Sequence, residues 1–206
     1  MPILSESRFN AYNQLSVVTL MMVLGFNIND ILKNMSKLKI AETRYEKIKL
    51  NNNKHLIKHL TKGQNPLACS NVFDFVKNYE GKKNVILMLD DKSDNEEGVE
   101  VILWHYDADY EFLNHDSIER IIIIGPRSKD IYVRSLLAGI DSSKLFVFEN
   151  QKDAYNYITI DKVETLFLLN DMYIEKEASE LKEHILETPS SLSDLSSSIN
   201  ITFFLP

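Results

Sequence analysis

The sequence predicts an α/β fold: a Rossmann-like, mostly parallel sheet with crossover helices. Two observations carry this. From Val85 onward, apolar strand-like runs alternate with helical segments, the order that builds strand–helix–strand units. The runs Val85–Leu89, Ile118–Ile124, Leu145–Phe148 and Val163–Leu169 are also nearly continuously apolar rather than alternating. Strands read that way when helices cover both faces of the sheet. With 206 residues, 44% of them hydrophobic, the chain can build one such core with appendages.

The elements follow in order. Residues 8–25 read as a helix with apolar positions at Leu15, Val18, Leu20, Met22 and Val23, stopped by Gly25. Asn29-Asp30 is placed to cap a second helix from Ile31 to Leu38. Arg44–Leu50 and Lys54–Leu60 alternate around the Asn51-Asn52-Asn53 turn and predict a β-hairpin. After the Gly63–Pro66 turn, Ser70 opens a helix that Gly81 ends. Val85–Leu89 is a strand, Asp90–Gly98 an acid-rich loop, and Val99–Trp104 a further strand. Ile118–Ile124 is a buried strand, and Gly125-Pro126-Arg127 turns into a helix over Ser128–Gly139. Leu145–Phe148 is a strand, Asp153–Ile158 a short helix, Val163–Leu169 a strand and Met172–Leu186 a helix. Thr188–Ser198 is Ser-rich and predicts a disordered tail.

Composition excludes several functions. Net charge is −7 with no Lys/Arg cluster, so no nucleic-acid footprint is present. The single cysteine, Cys69, rules out an internal disulfide and a Cys-based zinc site, and reads as a small packed residue. His55 and His59 lie in an alternating stretch where a spacing of four carries no helical meaning, and read as surface residues. The apolar run Leu15–Phe26 is too short to span a bilayer, and no signal-peptide pattern is evident, so the expected location is cytoplasmic.

Chemistry concentrates in Trp104-His105-Tyr106-Asp107-Ala108-Asp109-Tyr110-Glu111, rich in acids and aromatics and placed just after the apolar run Val101-Ile102-Leu103. Carboxylates beyond a strand end are where α/β sheets hold their chemistry. A solvated acidic turn looks the same.

The junction residues, taken in order, resemble the C-terminal part of the Mur ligase family, and within it the ligase-like subunit of lipid II isoglutaminyl synthase. Residues Arg8–Leu15 with Leu24-Gly25 resemble a helix of the family's ATP-binding central domain. Arg44-Tyr45-Glu46 resembles the opening of the C-terminal domain, and Lys62 with Asn65-Pro66 the following turn. Leu89-Asp90-Asp91, Gly98 and Trp104–Glu111 resemble the acidic-aromatic segment, and Gly125–Asp130 with Arg134 the later turn and helix. The resemblance implies residues 1–40 as a helical remnant of the central domain, 41–186 as the C-terminal domain and 187–206 as the tail. Departures are Thr43 in place of a glycine, two residues inserted before Asn65, and Val101 and Leu103 in place of Asp and Ser.

What the resemblance implies about function is specific. Such a subunit uses ATP and Mg to activate the D-glutamate carboxylate of the lipid II stem peptide, and a glutaminase subunit supplies ammonia. The Asp matching Asp107 completes a Cys-His-Asp triad across the subunit interface. Otherwise Asp107 caps Tyr110–Leu113. Arg44 and Asn65 stand as candidates for contacting nucleotide at the domain junction. Their plainer readings are charge pairing in the hairpin and a turn-forming Asn. No glycine-rich phosphate loop ending in Lys-Ser or Lys-Thr occurs, so weak or no ATP binding by this chain alone is expected. A separate ATP-binding Mur ligase fragment is then the further implied partner. The alternatives are a non-catalytic interaction module, or degenerate remnant, on the same fold, and a fragment of another Mur-type amide ligase.

Overall fold

The computed structural model describes residues 8–38, 44–50, 53–61, 64–89 and 102–187. Its centre is one sheet of six strands in the order β1-β2-β6-β3-β4-β5. These are β1 (Tyr45–Lys49), β2 (His55–Leu60), β3 (Lys83–Met88), β4 (Ile118–Ile124), β5 (Leu145–Phe148) and β6 (Thr165–Asn170). All neighbours run parallel except the edge hairpin β1–β2, in which Tyr45 pairs with His59 and Lys49 with His55. Asn53 closes that hairpin at φ 62, a left-handed backbone that Asn tolerates better than most residues.

Helices cover both faces, which is why Val85–Met88, Ile121–Ile124 and Leu166–Leu169 are apolar on consecutive residues. Alternate residues of each strand point to opposite sides. Ile57, Val85, Leu87, Ile121, Ile123, Phe167 and Leu169 pack under α3 (Pro66–Asn78), α4 (Trp104–Asp107) and α5 (Ser128–Leu137). Leu56, Ile86, Met88, Ile122, Ile124, Leu166 and Leu168 pack under α6 (Gln151–Ala154) and α7 (Glu175–Glu187). The predicted strands 118–124 and 145–148 are the observed ones, and the predicted single sheet is present.

Several local expectations are corrected. α3 begins at Pro66 rather than Ser70, because Asn65 caps it and proline suits the first helical position. Ile102, Leu103 and Trp104 are not a strand: Trp104 starts the helical turn α4. The remainder of that predicted strand, the acid-rich loop and the Ser-rich tail lie outside the described residues. The helices α1 (Arg8–Val23) and α2 (Ile28–Met35) pack together through Val18, Ile31 and Met35. The cap of α2 is Asn27, whose side chain accepts from the Asn29 N–H. Of the five apolar positions that mark α1 in the sequence, only Val18 is buried, since α2 covers one narrow stripe of the helix. No helix among the described residues is long and apolar enough to cross a membrane.

His59 is buried, not a surface residue. Its ring sits 5.5 Å from Tyr45 and 5.8 Å from Phe75, and Nδ1 lies 2.9 Å from the Leu60 carbonyl. Burial pulls its pKa below the ordinary 6.5 despite that hydrogen bond. The unfolded chain therefore binds a proton here that the folded chain refuses, and folding stability falls as pH drops through about 6.5. The urea midpoint of wild type is expected to decrease on that acidification, and that of His59→Phe to decrease less. Parallel pH profiles for the two proteins would contradict the buried neutral histidine.

Candidate functional site

The C-terminal ends of β2, β3, β4 and β6 share one edge of the sheet, because those strands are parallel. α3 starts from that edge after β2, and α5 starts from it after the Gly125-Pro126-Arg127 turn. Gly125 has φ 130, a conformation that side-chain-bearing residues avoid. α4 lies between α3 and α5 and touches both. The acidic-aromatic segment is thus a short helical turn wedged between two longer helices, followed by a 3-10 turn over Tyr110–Leu113.

Its apolar side is anchored deeply. Trp104, His105, Ala108, Tyr110 and Leu113 are buried, and Tyr110 meets Phe73 of α3 edge-on at 4.9 Å. Trp104 stacks on His105 at 3.7 Å, and His105 Nδ1 lies 2.8 Å from the Tyr110 hydroxyl. Burial pushes the Tyr110 phenol well above its ordinary pKa, so it stays protonated and can donate. On the α3 side, Ser70 Oγ donates to the Pro66 carbonyl and accepts from the Asp109 N–H at 2.8 Å. On the α5 side, the buried Arg134 donates to the carbonyls of His105 and Ala108 and to the Glu111 carboxylate. The Arg134 bonds to Glu111 hold that carboxyl below its usual pKa.

Asp107 is exposed at the end of α4. No hydrogen bond or ion pair among the described residues engages its carboxylate. It does not cap the Tyr110–Leu113 turn: Asp109 occupies that position, and without a side-chain bond. Tyr106 and Leu103 beside it are 45% and 72% exposed. An exposed carboxylate on an anchored turn with apolar neighbours can accept a hydrogen bond from a group on another molecule.

The other two candidate residues divide. Asn65 caps α3, with its side-chain oxygen 2.9 Å from the Ala68 N–H. Arg44 is exposed, and its carbonyl accepts from the Leu60 N–H at the exit of β2. α3 joins Asn65 to the Asp107 segment, since Ser70 stands one turn after the cap. The Asn65 side-chain oxygen is thus engaged by the cap. Among the described residues no group of three or more His, Cys, Asp or Glu could hold a metal. Lys62 lies outside the described residues. Cys69 is fully buried and its thiol pKa is pushed up by burial, which leaves it unreactive.

Sequence reasoning did not identify Ser70, Tyr110 and Glu111 as parts of the support, and placed Arg134 only within a motif. The available signal was a Ser and an Arg on otherwise amphipathic helices, too common to be informative alone.

Known proteins place this geometry. The chain is 29% identical over 133 residues to the MurT subunit of lipid II isoglutaminyl synthase (glutamine-hydrolyzing) from two strains of Staphylococcus aureus. That alignment covers 65% of this chain and 29% of each relative, so the chain matches under a third of their length. Its fold is that of the crystal structure of MurF from Acinetobacter baumannii, with a TM-score of 0.62 and 22% identity over 85% of this chain and 38% of that one. The family model of the MurT ligase C-terminal domain matches residues 60–173, which include α3, the Asp107 segment, α5 and β6. With more than half of its 206 residues in that match, the chain belongs to the MurT ligase C-terminal family.

Proposed function

We propose that this chain is the partner-facing portion of a lipid II isoglutaminyl synthase, and that Asp107 completes the catalytic group of a glutaminase subunit docked against α4. The observation that carries the reading is the Asp107 carboxylate, exposed at the end of α4 while both flanks of that turn are buried and hydrogen-bonded. A carboxylate in that role accepts the Nδ1–H of the partner's histidine. It thereby presents Nε2 to the partner's cysteine and stabilises the imidazolium that forms. The cysteine thiolate then attacks the glutamine amide carbon, the imidazolium protonates the departing nitrogen, and ammonia leaves with a thioester behind. Water hydrolyses the thioester to glutamate.

ATP and Mg chemistry on the D-glutamate carboxylate of lipid II falls, on this reading, to an ATP-binding Mur ligase part outside these 206 residues. Arg44, exposed beside the exit of β2, is the residue of this chain proposed to contact phosphate, with Asn65 capping α3 nearby in the chain. The exposed Leu15, Leu20, Met22 and Val23 of α1 suit a helix that belongs to a central domain continuing beyond it.

Two measurements test this. The chain and a glutaminase subunit of this type should co-elute from a sizing column as a stoichiometric complex, whereas separate elution at micromolar concentrations would contradict the docking. Calorimetric titration of the chain alone with Mg-ATP should give no micromolar binding, since no loop of backbone amides and lysine cradles the phosphates. A micromolar Kd would relocate the nucleotide site to this domain.

A further inference from the structure

We infer that Arg134 is the positioning residue for Asp107, holding the turn that carries it from the interior side. The inference rests on the role proposed above for Asp107. Arg134 stands in α5, 7% exposed, with its guanidinium 5.1 Å from the centre of the Tyr110 ring. Its Nε donates to the His105 carbonyl at 3.2 Å and its Nη2 to the Ala108 carbonyl at 2.8 Å. Those two carbonyls lie two residues before Asp107 and one after it. The His105 carbonyl belongs to the end of α4, where backbone carbonyls have no partner within the helix, and the Ala108 carbonyl just past it also accepts from the Tyr110 N–H. One side chain therefore ties the backbone on both sides of Asp107 to α5.

The same Nη2 lies 3.0 and 2.9 Å from the two carboxylate oxygens of Glu111, so the buried cation has a counter-charge next to it. Because α5 starts directly from the β4 edge, the clamp refers the position of Asp107 to the sheet itself. Lysine cannot reproduce it: an ammonium is a point donor without the planar fork that spans separate acceptors.

The test is glutamine hydrolysis by the complex of this chain with its glutaminase subunit, for wild type, Arg134→Lys, Asp107→Asn and the double variant. Arg134→Lys should lower kcat about 10²-fold, as a misplacement of about 1 Å does. KM for glutamine should hold, because the partner binds glutamine, and complex formation should be retained. On the Asp107→Asn background Arg134→Lys should add little, since it acts through a group already lost. A purely structural role would not produce that non-additivity.

Losses that multiply in the double variant, or an Arg134→Lys complex with wild-type kcat, would overturn the inference while leaving the Asp107 reading intact. Wild-type turnover by Asp107→Asn would overturn both. If Arg134→Lys does not fold, Glu111→Gln decides in its place. It loosens the same guanidinium from a half-exposed position, and should lower kcat only when Asp107 is present.

Discussion

Asp107→Asn should leave the complex with a glutaminase subunit assembled and lower its glutamine hydrolysis by as much as about 10⁴-fold, the scale seen when a triad carboxylate becomes an amide. The amide fills the same space. Its NH₂ group, however, faces imidazole as a donor where the carboxylate accepted, so the wrong ring tautomer is favoured and the imidazolium loses its counter-charge. Asp109→Asn is the matched control. It is exposed, two residues away, and its side chain makes no cap bond, while its backbone N–H stays tied to Ser70. Asp109→Asn should keep turnover within the same order of magnitude as wild type. Equal and small effects from both changes would return the segment to an acidic surface turn. Steady-state ammonia release by the two variant complexes, with the complex checked on a sizing column, separates these outcomes.

Phe73→Ala should destabilise the chain by about 3–5 kcal/mol, the usual cost of emptying a large aromatic from a core. Against the total stability of a domain, about 5–15 kcal/mol, that is a large fraction. Phe73 is fully buried on the inner face of α3, against the sheet residues of one core layer and the edge of the Tyr110 ring. The cavity would open beneath the segment that carries Asp107, so the variant should lose both stability and, in the complex, turnover. Urea denaturation measures the first. A loss under about 1 kcal/mol would mean that α3 does not pack on the sheet as described.

The sheet was legible because its signal is non-local only in its consequence. Ile121–Ile124 and Leu145–Phe148 are apolar on consecutive residues, and strands covered on both faces use such runs. The hairpin was legible from its three asparagines. The start of α3 was misread because Asn65-Pro66 serves equally as a turn and as a cap followed by a first-turn proline; the tertiary structure chose the second. Ile102–Trp104 was misread because an apolar run of a few residues has no period to distinguish strand from helix. Asp107 stands out through the order of motifs, but the residues that hold its turn do not. Ser70 and Arg134 lie 39 and 26 residues from the atoms they hold, Asp109 N and Ala108 O, and only the packing of α3 and α5 on one face of the sheet brings them there. His59 was misplaced for the same reason. An alternating strand at the edge of a hairpin reads as half solvated, yet Phe75 of α3 covers it.

The most direct test of the central claim, that this chain supplies a catalytic carboxylate to a partner, is a titration of a glutaminase subunit with this chain while ammonia release from glutamine is followed. The account predicts that the rate rises with added chain to a plateau at equimolar protein, and that Asp107→Asn binds at the same ratio without raising the rate. A glutaminase whose turnover is unchanged by the wild-type chain, or raised equally by Asp107→Asn, would contradict it.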